Sequence, residues 1–90
     1  MNKIYIFTLN TCGHCHELKK SLNELEIDFI ELEVTKNLEL WQTVVNKLGN
    51  DLLPTVFVSI NGGDTGPIFM PERDYKTKDD IIKLIKQYHI

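Results

Sequence analysis

The stretch Lys3-Ile4-Tyr5-Ile6-Phe7-Thr8-Leu9 runs straight into Asn10-Thr11-Cys12-Gly13-His14-Cys15-His16, with Leu18, Leu22 and Leu25 following. The first seven residues read as a strand. Ile4 and Ile6 point one way and Tyr5 and Phe7 the other, so both faces are apolar, which suits a central strand covered on both sides. Beyond it, Cys15, Leu18, Leu22 and Leu25 recur at three- and four-residue steps, the apolar stripe of an amphipathic helix. Lys19, Lys20, Asn23 and Glu24 fall on its wet side. Thr11 is placed to cap the helix start. A buried strand thus feeds a helix whose first turn carries both cysteines of the chain.

Outward from this unit, Phe29, Ile30, Leu32 and Val34 mark a second strand near Asp28–Val34. Asn37 or a neighbour starts a second helix with Leu38, Trp41, Val44, Val45 and Leu48 on its apolar side, and Gly49-Asn50 stops it. Thr55–Ile60 is a third strand, dense in β-branched and aromatic residues. Asn61-Gly62-Gly63-Asp64 is a hairpin turn signal, with a short antiparallel strand around Thr65–Met70 after it. Pro67 places that strand at an edge. Pro71 and the charged run that follows read as a loop. Thr77 with Asp80 opens a last helix as a capping box, its apolar side formed by Ile81, Ile82, Leu84, Ile85 and Tyr88. The order β-α-β-α-β-β-α predicts an α/β fold. A four-stranded mixed sheet is flanked by three helices, with a right-handed crossover joining a parallel pair.

Ninety residues leave room for one domain, 1–90, and a 42% hydrophobic, 26% charged composition is that of a globular chain. The net charge of −3 and the lack of a Lys/Arg block speak against nucleic acid as a partner. No apolar run approaches the roughly 20 residues of a membrane span. Met1-Asn2-Lys3-Ile4-Tyr5 has no signal core, so a cytoplasmic monomer is expected. Two cysteines separated by two residues are too few and too close to staple a secreted domain. They ask for a chemical role.

A helix start supplies that role. Its unpaired N–H groups and partial positive charge favour a thiolate over a thiol. Cys12, nearest the helix end and the surface, gains most. Cys15 lies one turn on, facing the core with Leu18 and Leu22. The reading is dithiol–disulfide exchange: Cys12 attacks a substrate disulfide, and Cys15 then attacks Cys12 to release the reduced substrate. A protonated His14 between the two would favour the Cys12 thiolate further. Gly13 keeps a side chain out of the sulfur's path.

The motif in this setting resembles the glutaredoxins, of thioredoxin-like fold. Ile4-Tyr5-Ile6-Phe7 is similar to the family's first strand and Thr11-Cys12-Gly13-His14-Cys15 to its T-C-x-x-C. Lys19 stands where these helices often carry a lysine. Leu53-Pro54-Thr55-Val56-Phe57-Val58 is similar to the segment in which the family places a cis-proline beside the active site. The resemblance implies that Cys12 and Cys15 are catalytic, with Thr11, Gly13 and His14 tuning them. It also implies a groove for substrate or glutathione formed by Leu53, Pro54 and Thr55. Thr77, at a helix start suited to carboxylates, is a further candidate. It implies protein disulfides as substrates, glutathione as co-substrate and no required cofactor or metal.

Three positions depart from the glutathione-using members. Leu9 stands where a Lys or Arg is usual, Leu52-Leu53-Pro54 replaces T-V-P, and Phe69-Met70-Pro71-Glu72-Arg73-Asp74 occupies the stretch of the usual Gly-Gly-(Cys/Ser)-Asp. Cys15-His16 followed by Lys19 is also similar to the glutaredoxin-like electron donors of ribonucleotide reductase, which thioredoxin reductase reduces. Either electron source therefore stays open. So does a second class, an iron–sulfur carrier on the same fold, which a small residue at position 13 permits. Cys12-Gly13-His14-Cys15-His16 also spells a c-type haem attachment pattern, which the absence of an export signal disfavours. A structural zinc would need a fourth ligand from distant His89 or another chain.

Overall fold

A computed structural model describes residues 1–89. The elements are β1 (Lys3–Thr8), α1 (Gly13–Glu24), β2 (Ile30–Glu33), α2 (Leu38–Leu48), β3 (Thr55–Ser59), β4 (Ile68–Phe69) and α3 (Lys78–Tyr88), with short 3-10 turns at Val34–Lys36 and Ile60–Gly62. The sheet order is β2-β1-β3-β4. β1 runs parallel to β2, Ile6 opposite Glu31, and antiparallel to β3, Ile6 opposite Val56. β4 adds antiparallel to β3 at the edge. The fold is the expected mixed α/β sheet with three helices.

The strictly alternating faces of β1 explain the layering. Ile4 and Ile6 join Val56 and Val58 under Leu18 and Leu22 of α1 and Ile81, Ile82 and Ile85 of α3. Phe7 faces the other way, into a smaller cluster with Val34 and Trp41 of α2. The Phe7 and Trp41 ring centroids stand 5.1 Å apart. Trp41 is thus a core residue, and so is Met70, 1% exposed.

Several boundaries differ from the sequence reading. The second strand is shorter, because Val34 turns into the 3-10 segment instead of extending the ladder. The turn after β3 is longer than a two-residue hairpin loop: Ile60 N–H donates to the Thr65 carbonyl across it. The edge strand shrinks to Ile68–Phe69, although Val58 N–H still reaches the Pro67 carbonyl at 3.0 Å. Gly66 sits where a Cβ would run into the Val58 carbonyl oxygen, so the close approach of this loop to β3 requires glycine.

Candidate active site

The end of β1 and the start of α1 place the cysteines. Cys12 N–H donates to the Leu9 carbonyl at 2.9 Å, closing a tight turn out of the strand. Leu9 packs against the Phe7–Val34–Trp41 cluster, so the position at which glutathione-using relatives carry a cation belongs here to the core. The helix then begins at Gly13, and the residue that caps it is Cys12, not Thr11 as expected. Cys15 N–H donates to Cys12 Sγ at 3.1 Å. Sulfur occupies the place a serine or aspartate oxygen usually takes. Thr11 is exposed and makes no cap bond.

Cys12 is half-buried, whereas Cys15 is 0% exposed on the stripe with Leu18 and Leu22. Their Cα atoms lie 5.3 Å apart and their sulfurs are in disulfide contact. His14 is exposed between them. His16 is held by the loop before it: its Nε2–H donates to the Asn10 carbonyl at 2.8 Å. A Cβ at Gly13 would meet nothing within 4 Å. The space above this residue is open, so packing does not require glycine there.

The Leu53–Pro54 peptide bond is cis. Leu53, Pro54, His14, Glu17, Tyr75 and Thr77 line one groove, so residues far apart in sequence meet at His14, the residue before Cys15, with neither cysteine in the lining itself. Thr77 caps α3, its hydroxyl accepting from Asp80 N–H at 3.2 Å. Thr55 does not share this surface. It is 0% exposed, and its hydroxyl donates to the Leu52 carbonyl at 2.8 Å, bracing the chain around the cis bond.

Tyr75 is the residue that sequence reading missed, lost in a charged run taken as loop. It is buried, bridges to Pro71, and its hydroxyl donates to the Pro54 carbonyl. Burial pushes its hydroxyl pKa up, so it stays a donor. The signal available was a lone aromatic among Glu72, Arg73, Asp74 and Lys76. Lys19 also departs from its expected wet position: it is paired with Glu31 at 2.7 Å. Among the described residues, no group of three or more His, Cys, Asp or Glu side chains is arranged to hold a metal ion. No described helix is long and apolar enough to cross a membrane.

A glutaredoxin family model matches residues 4–62, from the first strand past the cis-proline. The chain belongs to the glutaredoxin family. Glutaredoxin 3 of Escherichia coli strain K12 is 28% identical over 58 residues, covering 64% of this chain and 70% of its own. Among solved structures, the oxidised thioredoxin from Plasmodium falciparum aligns with a TM-score of 0.67 at 21% identity, over 99% of this chain and 82% of its own. A buckwheat glutaredoxin–glutathione complex aligns at 0.59 and 19% identity, over 96% and 70%. These likenesses show the thioredoxin-like fold. With its cysteines two residues apart and in disulfide contact, this glutaredoxin is a dithiol–disulfide oxidoreductase.

Proposed function

We propose that the chain is a single-domain cytoplasmic electron carrier that reduces protein disulfides, with glutathione restoring its dithiol. The observation that carries the reading is the unequal pair. One sulfur caps a helix and meets the surface; the other is fully buried one turn on. In the reduced protein, Cys12 loses its proton more readily because the helix end and Cys15 N–H favour its anion. The Cys12 thiolate attacks one sulfur of the substrate disulfide. That S–S bond breaks, one substrate thiolate leaves and takes a proton, and a mixed disulfide forms. Cys15 then gives up its proton and attacks Cys12 Sγ. The second substrate thiol leaves, and the Cys12–Cys15 disulfide closes. Two electrons have passed to the substrate. Two glutathione thiols reverse the process by the same exchange, ending as glutathione disulfide.

Leu53 and Pro54 form one wall of the proposed substrate groove. Thr11, Gly13 and His14 border the attacking sulfur. Thr77 borders this groove, and Lys76 and Lys78 beside it offer two cations to a carboxylate of the substrate or of glutathione. The family supports glutathione as co-substrate, and the fold it shares with the buckwheat complex is consistent with it.

The test is a pair of variants and a choice of donor. Cys12→Ser should abolish reduction of a model disulfide. Cys15→Ser should accumulate a mixed disulfide visible by mass. Rates with glutathione and its reductase should exceed those with thioredoxin reductase. Undiminished turnover of Cys12→Ser would sink the mechanism, and the opposite donor preference would reassign the electron source.

A further inference from the structure

Two side chains, one from β1 and one from α1, converge on a single carboxylate oxygen of β2. Glu31 Oε2, on β2, accepts from Thr8 Oγ1 at 2.6 Å and from Lys19 Nζ at 2.7 Å. Thr8 is the last residue of β1, four before Cys12. Lys19 lies four residues after Cys15 on α1, so the two share a side of the helix, and helical side chains lean toward the N-terminus. Thr8 and Glu31 share the sheet face on which α1 packs, since Ile6, opposite Glu31 in the register, sits under Leu18.

This pair differs from the other ion pairs of the chain. Lys36–Glu33 and Lys78–Glu17 are long, 3.7 and 3.9 Å, with the lysines exposed, and Arg73–Asp74, at 2.8 Å, joins chain neighbours in the loop before α3. Such pairs are screened and weakly coupled. Lys19 is 21% exposed, and Thr8 is 1% exposed, so its hydroxyl needs an acceptor and fixes the carboxylate in place. The hydrogen bond from Lys19 foremost, and that from Thr8 next, hold the Glu31 carboxyl below its ordinary pKa against a smaller opposing effect of burial. The other titratable or charged residues on the first turns of α1 and on the adjoining groove are His14, His16, Glu17 and Lys20 on α1, and Glu72, Lys76 and Lys78 ahead of and at the start of α3. Of these, Lys78 and Glu17 face one another.

We propose that Glu31 is a positioning residue for the redox pair: it neutralises the Lys19 ammonium one turn behind Cys15 and so keeps the Cys12–Cys15 couple more reducing. A free ammonium there would stabilise the thiolate and with it the dithiol form, making the protein a stronger oxidant. The bond to Thr8 ties this setting to the strand that carries the active-site turn. The inference rests on the dithiol–disulfide activity. The equilibrium is a property of the pair, so its outcome is separate from which sulfur attacks first.

The experiment equilibrates the full chain with glutathione and glutathione disulfide and measures the dithiol fraction. Glu31→Gln should shift the equilibrium about threefold toward the dithiol and move the pH profile of thiol alkylation downward. Lys19→Gln leaves the carboxylate uncompensated, so it should shift both in the opposite direction. The double variant should return near the wild type, and Lys19→Arg should match it. A clamp with only a structural role lowers thermal stability in both single variants without opposite redox shifts. Shifts of the same sign, or none, would overturn the proposal. If Glu31→Gln does not fold, Lys19→Gln against Lys19→Arg carries the same test: a shift toward disulfide in the first alone supports it, and equal behaviour refutes it.

Discussion

The starts of α1 and α3 have the same local geometry and opposite chemistry. At α3, Thr77 accepts from Asp80 N–H and Asp80 returns a bond to the Thr77 backbone, a closed capping box, with Asp79 and Asp80 both in the first turn. At α1, Cys12 Sγ accepts from Cys15 N–H, and the first turn holds no acid. One helix end is neutralised by its own carboxylates. The other keeps its positive field for whatever charge appears on a sulfur. The difference teaches where reactivity comes from. The capping geometry is common to both ends, and only the end without a resident anion leaves its field to its cap residue, the sulfur proposed as the nucleophile.

Replacing the reactive cap by an inert one tests this most severely. Cys12→Thr gives α1 the cap that α3 has. The chain should still fold, and disulfide reduction should fall to background in a glutathione-coupled assay. Retained activity would show that the cap position is not where the chemistry happens.

The two ends face one groove because Tyr75, just before α3, donates to Pro54. Tyr75→Phe leaves the Pro54 carbonyl without its donor and should cost about 1–3 kcal/mol in urea unfolding. It should also slow turnover, since Pro54 lines the groove. Unchanged stability would mean that the bond does not hold the two ends together. A smaller effect is expected at the inert cap: Thr77→Ala should lose about 1 kcal/mol of stability. Most of the activity toward a protein disulfide should survive, in contrast to Cys12→Thr.

The ends should also differ in acid. Asp80 is held below its ordinary pKa, first by the Thr77 N–H and then by the Lys76 N–H. A carboxyl depressed in the folded state takes up its proton more readily in the unfolded chain. Its stabilisation is therefore present at neutral pH and is lost as pH falls through the folded value. Glu31 follows the same sign, with Lys19 as first cause. Melting temperature should hold down to about pH 5 and fall below about pH 4. In Asp80→Asn that fall should be shallower, starting from a lower neutral value. An identical acid profile would remove Asp80 from the account of the α3 end.

Much of this comparison was legible in the sequence wherever the signal is local. The Thr77–Asp80 box and the core-facing Cys15 are each encoded within a few residues, whereas the place of Pro54 came from the family resemblance. Thr11 was misread as the cap because hydroxyls are the habitual acceptors, and a sulfur one residue later takes the bond instead. Tyr75 was not legible because its partner, Pro54, is 21 residues away. Lys19 fell on the wet side of its own helix, and only the arrival of β2 alongside α1 gives it Glu31. Thr55 belongs with the groove in sequence and beneath it in space, since its alternation in β3 turns it inward.

The central claim is that the start of α1 holds Cys12 as an anion. The pH dependence of the alkylation rate of the reduced protein, followed at Cys12 by mass, tests it directly. The account predicts a midpoint well below the ordinary thiol value of about 8.5, with Cys15 reacting far more slowly throughout. A midpoint at or above that value, or equal rates at the two cysteines, would contradict it.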